Sequence, residues 1–380
     1  MAGHRPILAS PVTRRHVAAM IAAGLVPFPA VSRARSAEAA ALPPALARGF
    51  NLPGWTDHEQ GIAPARAVLE RLHALGFSSI RLPVAADPLL GDREAARAML
   101  RRIGDAIALS IAAGFAVVLD LHPAGAFAAR LREDISEGAR LAIAAWTLLR
   151  DVVANFPDDK VYAELLNEPP LEQADWMRLR DELARVIRHA CPRHGIVWGP
   201  ARYQGLWELA QTTPLADARA IVAVHYYWPM GFTHQCANWD GSALGRISGL
   251  PFPAAEDTPA VARLRQNLET AGDREALAML EDAFSQPWSA ERIAADFRML
   301  GEWARAQNCP VVVGEFGVLD FCVDPQSRAN WVRAVRQAAE ANGIGWTYWE
   351  LDQGFGFIRS RLDTEGFNLS MVEALTGGGA

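Results

Sequence analysis

Two glutamates stand out by where the chain carries them. Glu168 ends the run VYAELLNE at 161–168, just before Pro169 and Pro170, and Glu315 lies in VVVGEFG at 311–317. Each follows a short apolar stretch of strand type, so each carboxylate is delivered to a strand end. Two carboxyl groups facing one bound molecule, with no metal, suit glycoside hydrolysis. One protonates the departing oxygen while the other attacks the anomeric carbon or activates water. The four cysteines, Cys191, Cys236, Cys309 and Cys322, form no CxxC pair and have no zinc-ligand spacing, so neither a metal nor another cofactor is expected.

The elements that must hold these groups form one repeated pattern. Short apolar runs at 47–52, 77–84, 115–122, 160–167, 195–199, 220–227, 310–316 and 344–350 alternate with stretches of helical periodicity such as PARAVLERLHALG. Eight βα alternations predict an α/β fold, a (β/α)8 TIM barrel built as a single catalytic domain over 40–380. The competing open, doubly wound sheet lacks its phosphate-binding signature, because NLPGW and not GxGxxG follows the first run. About 60 residues from Trp228 to Trp288 form a long loop insertion after strand 6, a candidate wall for an extended cleft.

In such a barrel, polar residues at C-terminal strand ends face the active site. They are Arg81, His122, Asn167 with Glu168, His225 with Tyr227, Glu315, and Trp349 with Glu350. The motifs IRLPV, LDLH, LLNEP, VHYY, VVVGEFG and WTYWEL, in this order, resemble glycoside hydrolase family 5, the cellulase-type barrel of clan A. The resemblance implies a retaining mechanism with Glu168 as acid/base and Glu315 as nucleophile. It also implies substrate contacts from His122, Asn167, His225 and Tyr227, support of the nucleophile by Arg81, and a sugar floor at Trp349. Arg81 is then expected to favour ionised Glu315, and the charge of Glu315 to favour a proton on Glu168. Strand alternation places Glu164 on the same face as Leu166 and Glu168 but deeper, as a buried structural carboxylate. Glu350 is also read as structural. Trp55, Trp228, Trp239, Trp288 and Phe355 fall in loops on the active face, where one or two are expected to be sugar platforms and the rest loop anchors.

Composition sets the remaining bounds. The 380 residues are 51% hydrophobic and 21% charged, which fits a globular chain, and a net charge of -6 without a basic cluster offers nothing to nucleic acid. Arg14 and Arg15 precede a short apolar stretch and small residues near Ala37 to Ala39, which reads as a twin-arginine-type signal peptide over 1–39. The expectation is a periplasmic or secreted monomer with no membrane segment after signal removal. An oxidising compartment would allow a Cys236 to Cys322 bridge pinning the insertion, since both follow strands on the active face. The substrate expected from the resemblance is a β-glucan, cut internally by an endo-β-1,4-glucanase. Only 30 residues follow strand eight and they contain no Ser/Pro-rich linker, which favours soluble glucan over crystalline cellulose. The alternatives are β-mannan, β-1,3-glucan or another family 5 substrate and, from a different class, a non-catalytic carbohydrate-binding barrel.

Overall fold

The computed structural model describes residues 41–378 apart from 59, 240 and 285; the proposed signal segment lies outside the described residues. Eight parallel strands close into a barrel in sequence order. They are β1 (Arg48–Asn51), β2 (Ser79–Ala85), β3 (Ala116–His122), β4 (Val161–Glu164), β5 (Gly195–Trp198), β6 (Ala220–His225), β7 (Val311–Phe316) and β8 (Gly345–Tyr348). The principal helices of the outer ring are α1 (Arg66–Ala74), α2 (Arg93–Ala112), α3 (Ile135–Val153) and α4 (Gln173–Ala190), then α7 (Ala290–Gln307), α8 (Pro325–Ala341) and α9 (Leu369–Thr376), with α5 (Pro259–Ala271) and α6 (Arg274–Ala283) in the long insertion. Among the described residues no helix is long and apolar enough to cross a membrane.

Strand alternation divides the hydrophobic residues into two layers. Val117, Leu119, Val222, Val224 and Val313 belong to the large layer between strands and helices. Their neighbours Ala116, Val118, Tyr162, Val197, Ile221, Ala223 and Val312 fill the barrel interior, closed from below by Leu46. Both faces are covered, which is why the strands read as continuous apolar runs. Leu46 sits in a single 3-10 turn, Pro44–Leu46. Its carbonyl approaches β8 so closely that a Cβ on Gly345 would lie 2.2 Å from it.

The alternation fails at the two places where the candidate carboxylates leave the barrel. β4 ends at Glu164, and both Leu165 and Leu166 join the outer layer, so one step of the two-residue period is lost. The expectation that Leu166 shares a face with Glu164 is therefore corrected. On β7, Val313 and Phe316 are both outer-layer residues, and the ladders on both sides shift register: His225 pairs with Glu315, and Phe316 with Tyr348. An irregularity of this kind re-aims a side chain. Here it turns Glu315 toward the mouth.

The insertion between β6 and α7 is structured. Phe232, Ile247, Phe252 and Trp288 extend the main core, while Ala237 and Leu244 pack with Leu319 and Phe355 against Tyr227, Trp239 and Trp349 at the mouth. Cys236 is bonded to Cys322, with Cα atoms 6.2 Å apart, which ties the insertion to the loop after β7. Cys191 and Cys309 are free and buried.

Leu46, 3% exposed, is the plug of the lower interior layer. Leu46→Ala should lower unfolding stability in urea by about 2–4 kcal/mol while leaving catalysis per folded molecule intact, because the plug lies at the end of the barrel away from Glu315. A loss below about 0.5 kcal/mol would show that the lower layer closes without it.

Candidate active site

The site is built around Arg81, which β2 places inside the barrel and which is 1% exposed. All five of its N–H bonds are used. Nε donates to Glu164 Oε2 at 2.7 Å, and Nη2 to Glu164 Oε1 at 3.0 Å and to Asn167 Oδ1 at 2.7 Å. Nη1 donates to Asn51 Oδ1 at 2.9 Å and to Glu315 Oε1 at 2.8 Å. Asp120 Oδ2 lies 3.2 Å from Nη2. A guanidinium suits this post because its planar fork can address several carboxylates at once.

Glu315 accepts two further contacts on its other oxygen. The Tyr227 hydroxyl donates to Oε2 at 3.0 Å, and His225 Nδ1 lies 3.5 Å from it. The same His225 Nδ1 is 2.8 Å from Glu168 Oε1, so one imidazole spans both carboxylates. One ligand atom each of Glu168, His225 and Glu315 lies within 4.8 Å of the others. These atoms are also close enough to hold a cation, which the residue spacing in the sequence does not suggest.

Glu168 lies beyond β4, in a turn with a left-handed φ of 41°. Its N–H donates to Gln204 Oε1 at 2.7 Å, and 24% of its side chain is exposed to the cleft. On the opposite side, His122 Nδ1 contacts Asp120 Oδ2 at 2.8 Å, and His122 Nε2 contacts Asn167 Nδ2 at 3.3 Å. These partners fix a tautomer with the proton on Nδ1 and Nε2 accepting. Trp349 stacks against His122, with ring centres 5.9 Å apart and planes at 18°, and its backbone N–H donates to the backbone carbonyl of Phe316. All eight residues singled out in the sequence thus converge at one end of the barrel.

Burial dominates the acid–base properties. It pushes Glu168 up to about 7, against the lowering influence of His122 and Arg81. The expected cause, the charge of Glu315, is therefore corrected: removal from water supplies the shift, because a carboxylate loses solvation faster than its neighbours restore it. Glu315 is also raised above the ordinary carboxylate range by burial, and His225 and Arg81 reduce that rise without reversing it. His225 is pushed down to about 4 by burial, so it is neutral at pH 7 and donates from Nδ1. Tyr227, raised well above 10 chiefly by burial and also by Glu315, stays protonated.

Glu164 is buried beneath the site, held by Arg81. Glu350 accepts the backbone N–H groups of Asp352, Gln353 and Phe355 and so organises the loop after β8. Of the loop aromatics, Trp55, Trp288 and Phe355 are buried; Trp288 stacks on Phe284 at 4.0 Å. Those three are anchors. Trp228 and Trp239 are half-buried, and Trp239 meets the exposed Phe321 edge to face. Asn51, Asp120 and Gln204 complete the site without having been singled out. Asn51 and Asp120 carry a readable signal, polar residues inside apolar strand runs, whereas Gln204 lies in the loop ARYQG and carries none.

Comparison with known proteins bears on this geometry. The chain is 25% identical over 349 residues to Endoglucanase 3 of Fibrobacter succinogenes, covering 86% of this chain and 52% of that protein. It is 23% identical over 319 residues to Endoglucanase H of Acetivibrio thermocellus, covering 80% and 29%. The chain thus spans about half of the first relative and under a third of the second. Thermotoga maritima Cel5A, solved with cellobiose and with mannotriose, superposes with a TM-score of 0.69 at 24% identity, over 88% of this chain and 98% of that one. The cellulose synthase subunit Z of Clostridioides difficile gives 0.69 at 22% identity, over 87% and 99%. At these identities the solved structures establish the barrel fold. The profile of the family Cellulase (glycosyl hydrolase family 5) matches residues 41–354, nearly the whole described barrel, and the chain belongs to that family.

Proposed function

We propose that the protein is a retaining, endo-acting β-glycosidase that cuts β-1,4-linked glucan, with Glu315 as nucleophile and Glu168 as acid/base. The observation that carries this reading is the approach of the two carboxylates to within 4.8 Å, bridged by one neutral histidine. Retaining enzymes hold their carboxyl groups about 5–5.5 Å apart, and inverting ones leave a wider gap for water.

In the first step a Glu315 oxygen bonds to the anomeric carbon as the glycosidic C–O bond breaks, and the Glu168 proton passes to the departing oxygen. In the second, Glu168, now ionised, takes a proton from water, whose oxygen displaces Glu315 from the same carbon. The Arg81 and Tyr227 donors hold Glu315 in line during both steps. Asn167 and His122 offer polar groups to the sugar hydroxyls, and the Trp349 ring offers a face for the apolar C–H surface of the ring. Glucan as substrate is supported by the two curated endoglucanases and by the cellobiose complex of Thermotoga maritima Cel5A. The mannotriose complex of the same protein makes β-1,4-mannan the second reading. Export by the N-terminal arginine-containing segment is part of the proposal, supported by the Cys236–Cys322 bond, which suits an oxidising compartment.

A panel of carboxymethyl cellulose, mixed-linkage β-glucan, β-1,3-glucan and mannan, followed by product sizing, should show fastest internal cleavage of a β-1,4-glucan. Proton NMR should show the β-anomer released first. Glu315→Ala should lose at least about 10⁴-fold in kcat. An α-anomer as first product, or activity surviving in Glu315→Ala, would overturn the assignment.

The pH dependence follows from the two carboxyl groups. Glu315 must be ionised, so kcat/KM rises as pH passes its raised pKa. Glu168 must be protonated, so kcat/KM falls as pH rises through about 7. Glu168→Gln should abolish the basic limb. If that limb is unchanged in the variant, Glu168 is not the acid.

A further inference from the structure

We infer that Gln204 is a positioning residue that sets the orientation of the acid/base Glu168 by clamping its backbone to the buried ion network beneath it. The inference rests on the assignment of Glu168 as acid/base. It goes beyond that assignment by naming the group that aims it.

Gln204 is fully buried, so it touches no substrate. Its amide works in two directions. Oε1 accepts the N–H of Glu168 at 2.7 Å, while Nε2 faces Glu164 Oε1 at 3.3 Å and the carbonyl of Ala223 at 3.4 Å. Glu164 is held by Arg81, and Arg81 holds Glu315. A continuous path of polar contacts therefore runs from the backbone of Glu168 through Gln204, Glu164 and Arg81 to the carboxylate of Glu315. The two carboxylates are fixed relative to each other from below as well as by His225 from the side.

The backbone around Gln204 is unusual in a way this role explains. Arg202, Tyr203 and Gln204 have φ of 53°, 68° and 56°, three successive non-glycine residues in the left-handed region. Such a run is disfavoured by the clash of Cβ with the following carbonyl, and persists only where surrounding contacts determine it. Those contacts are present on both sides. The Tyr203 N–H reaches Pro169 O at 3.4 Å, and Gly205 forms a β-bridge with His225. The turn is thus docked between the residue after Glu168 and the histidine that bridges the carboxylates. Glu168 is left-handed too, and its N–H is the one Gln204 holds. Gly199 provides the space: a Cβ there would lie 2.3 Å from Gln204 Cγ.

A residue that aims a general acid has a signature that a residue merely supporting the fold lacks. Cleavage of an aryl glycoside with a poor leaving group needs the proton, whereas a dinitrophenolate departs without one. For Gln204→Leu, kcat/KM on phenyl β-cellobioside should fall about 10- to 100-fold, while on 2,4-dinitrophenyl β-cellobioside it changes less than about threefold. The parameter kcat/KM reports the first step alone, so the base role of Glu168 in the second does not intrude. Gly199→Ala keeps the amide but displaces it and should reproduce the same selectivity, which keeps the test open should Gln204→Leu fail to fold. Equal losses on both substrates in the variants that fold, or no loss on either, would overturn the inference. Glu168→Gln is the internal standard. If it shows no leaving-group selectivity, the acid/base assignment itself fails; if it does and the Gln204 and Gly199 variants do not, only the role of Gln204 fails.

Discussion

The arrangement depends on one buried guanidinium. Arg81 contacts side chains from or just beyond β1, β3, β4 and β7, and three of them are carboxylates: Glu164, Glu315 and Asp120. Burying charge is costly, and a single cation cannot neutralise three anions. The site meets this constraint by protonation. Asp120 is pushed up to about 7 by burial, against the lowering influence of Arg81, so near neutral pH part of its population carries no charge. Glu164 receives two of the five N–H bonds. Lysine could not replace Arg81, because a point charge with three donors cannot hold Asn51, Glu164, Asn167 and Glu315 in one plane.

That constraint explains why the strands depart from ideal geometry where chemistry is proposed. A perfectly alternating strand sends every second side chain along the barrel axis, into a closely packed interior. The carboxylates needed at the mouth cannot lie in that stack. β4 loses a step at Leu165 and Leu166, and β7 shifts register between Val313 and Phe316. On β7 the irregularity leaves Glu315 in contact with Arg81 and turned toward the mouth, and beyond β4 the lost step brings Asn167 onto Arg81.

This division also sets what could be read from the sequence. Barrel, strand order and the convergence of eight strand-end residues were legible, because apolar runs and the polar residues that end them depend on a two-residue period that local sequence records. Glu164 as a buried structural acid was legible for the same reason. The face assigned to Leu166 was not, since a lost step of alternation changes no residue type. Gln204 was hidden more deeply: its role arises from a left-handed turn of Arg202, Tyr203 and Gln204, none of them residues that announce such a turn. Nor was the source of the Glu168 shift. Spacing can predict that two charges will meet, but not how much water surrounds each.

Burial raises both carboxyl groups, and in the proposed mechanism the donors each receives distinguish them. Glu315 accepts hydrogen bonds from Arg81 and Tyr227, whereas the Glu168 carboxyl accepts one, from His225. Hydrogen bonds to the charged form favour it, so one proton shared between the two belongs on Glu168. In the proposed first step Glu315 becomes an ester and its negative charge disappears, while Glu168 releases its proton. Arg81 is then left with one counter-ion fewer, and its field together with the His225 donor stabilises ionised Glu168 in the form needed to activate water. In the proposed mechanism, the network that favours a proton on Glu168 at the start therefore favours its ionised form afterward.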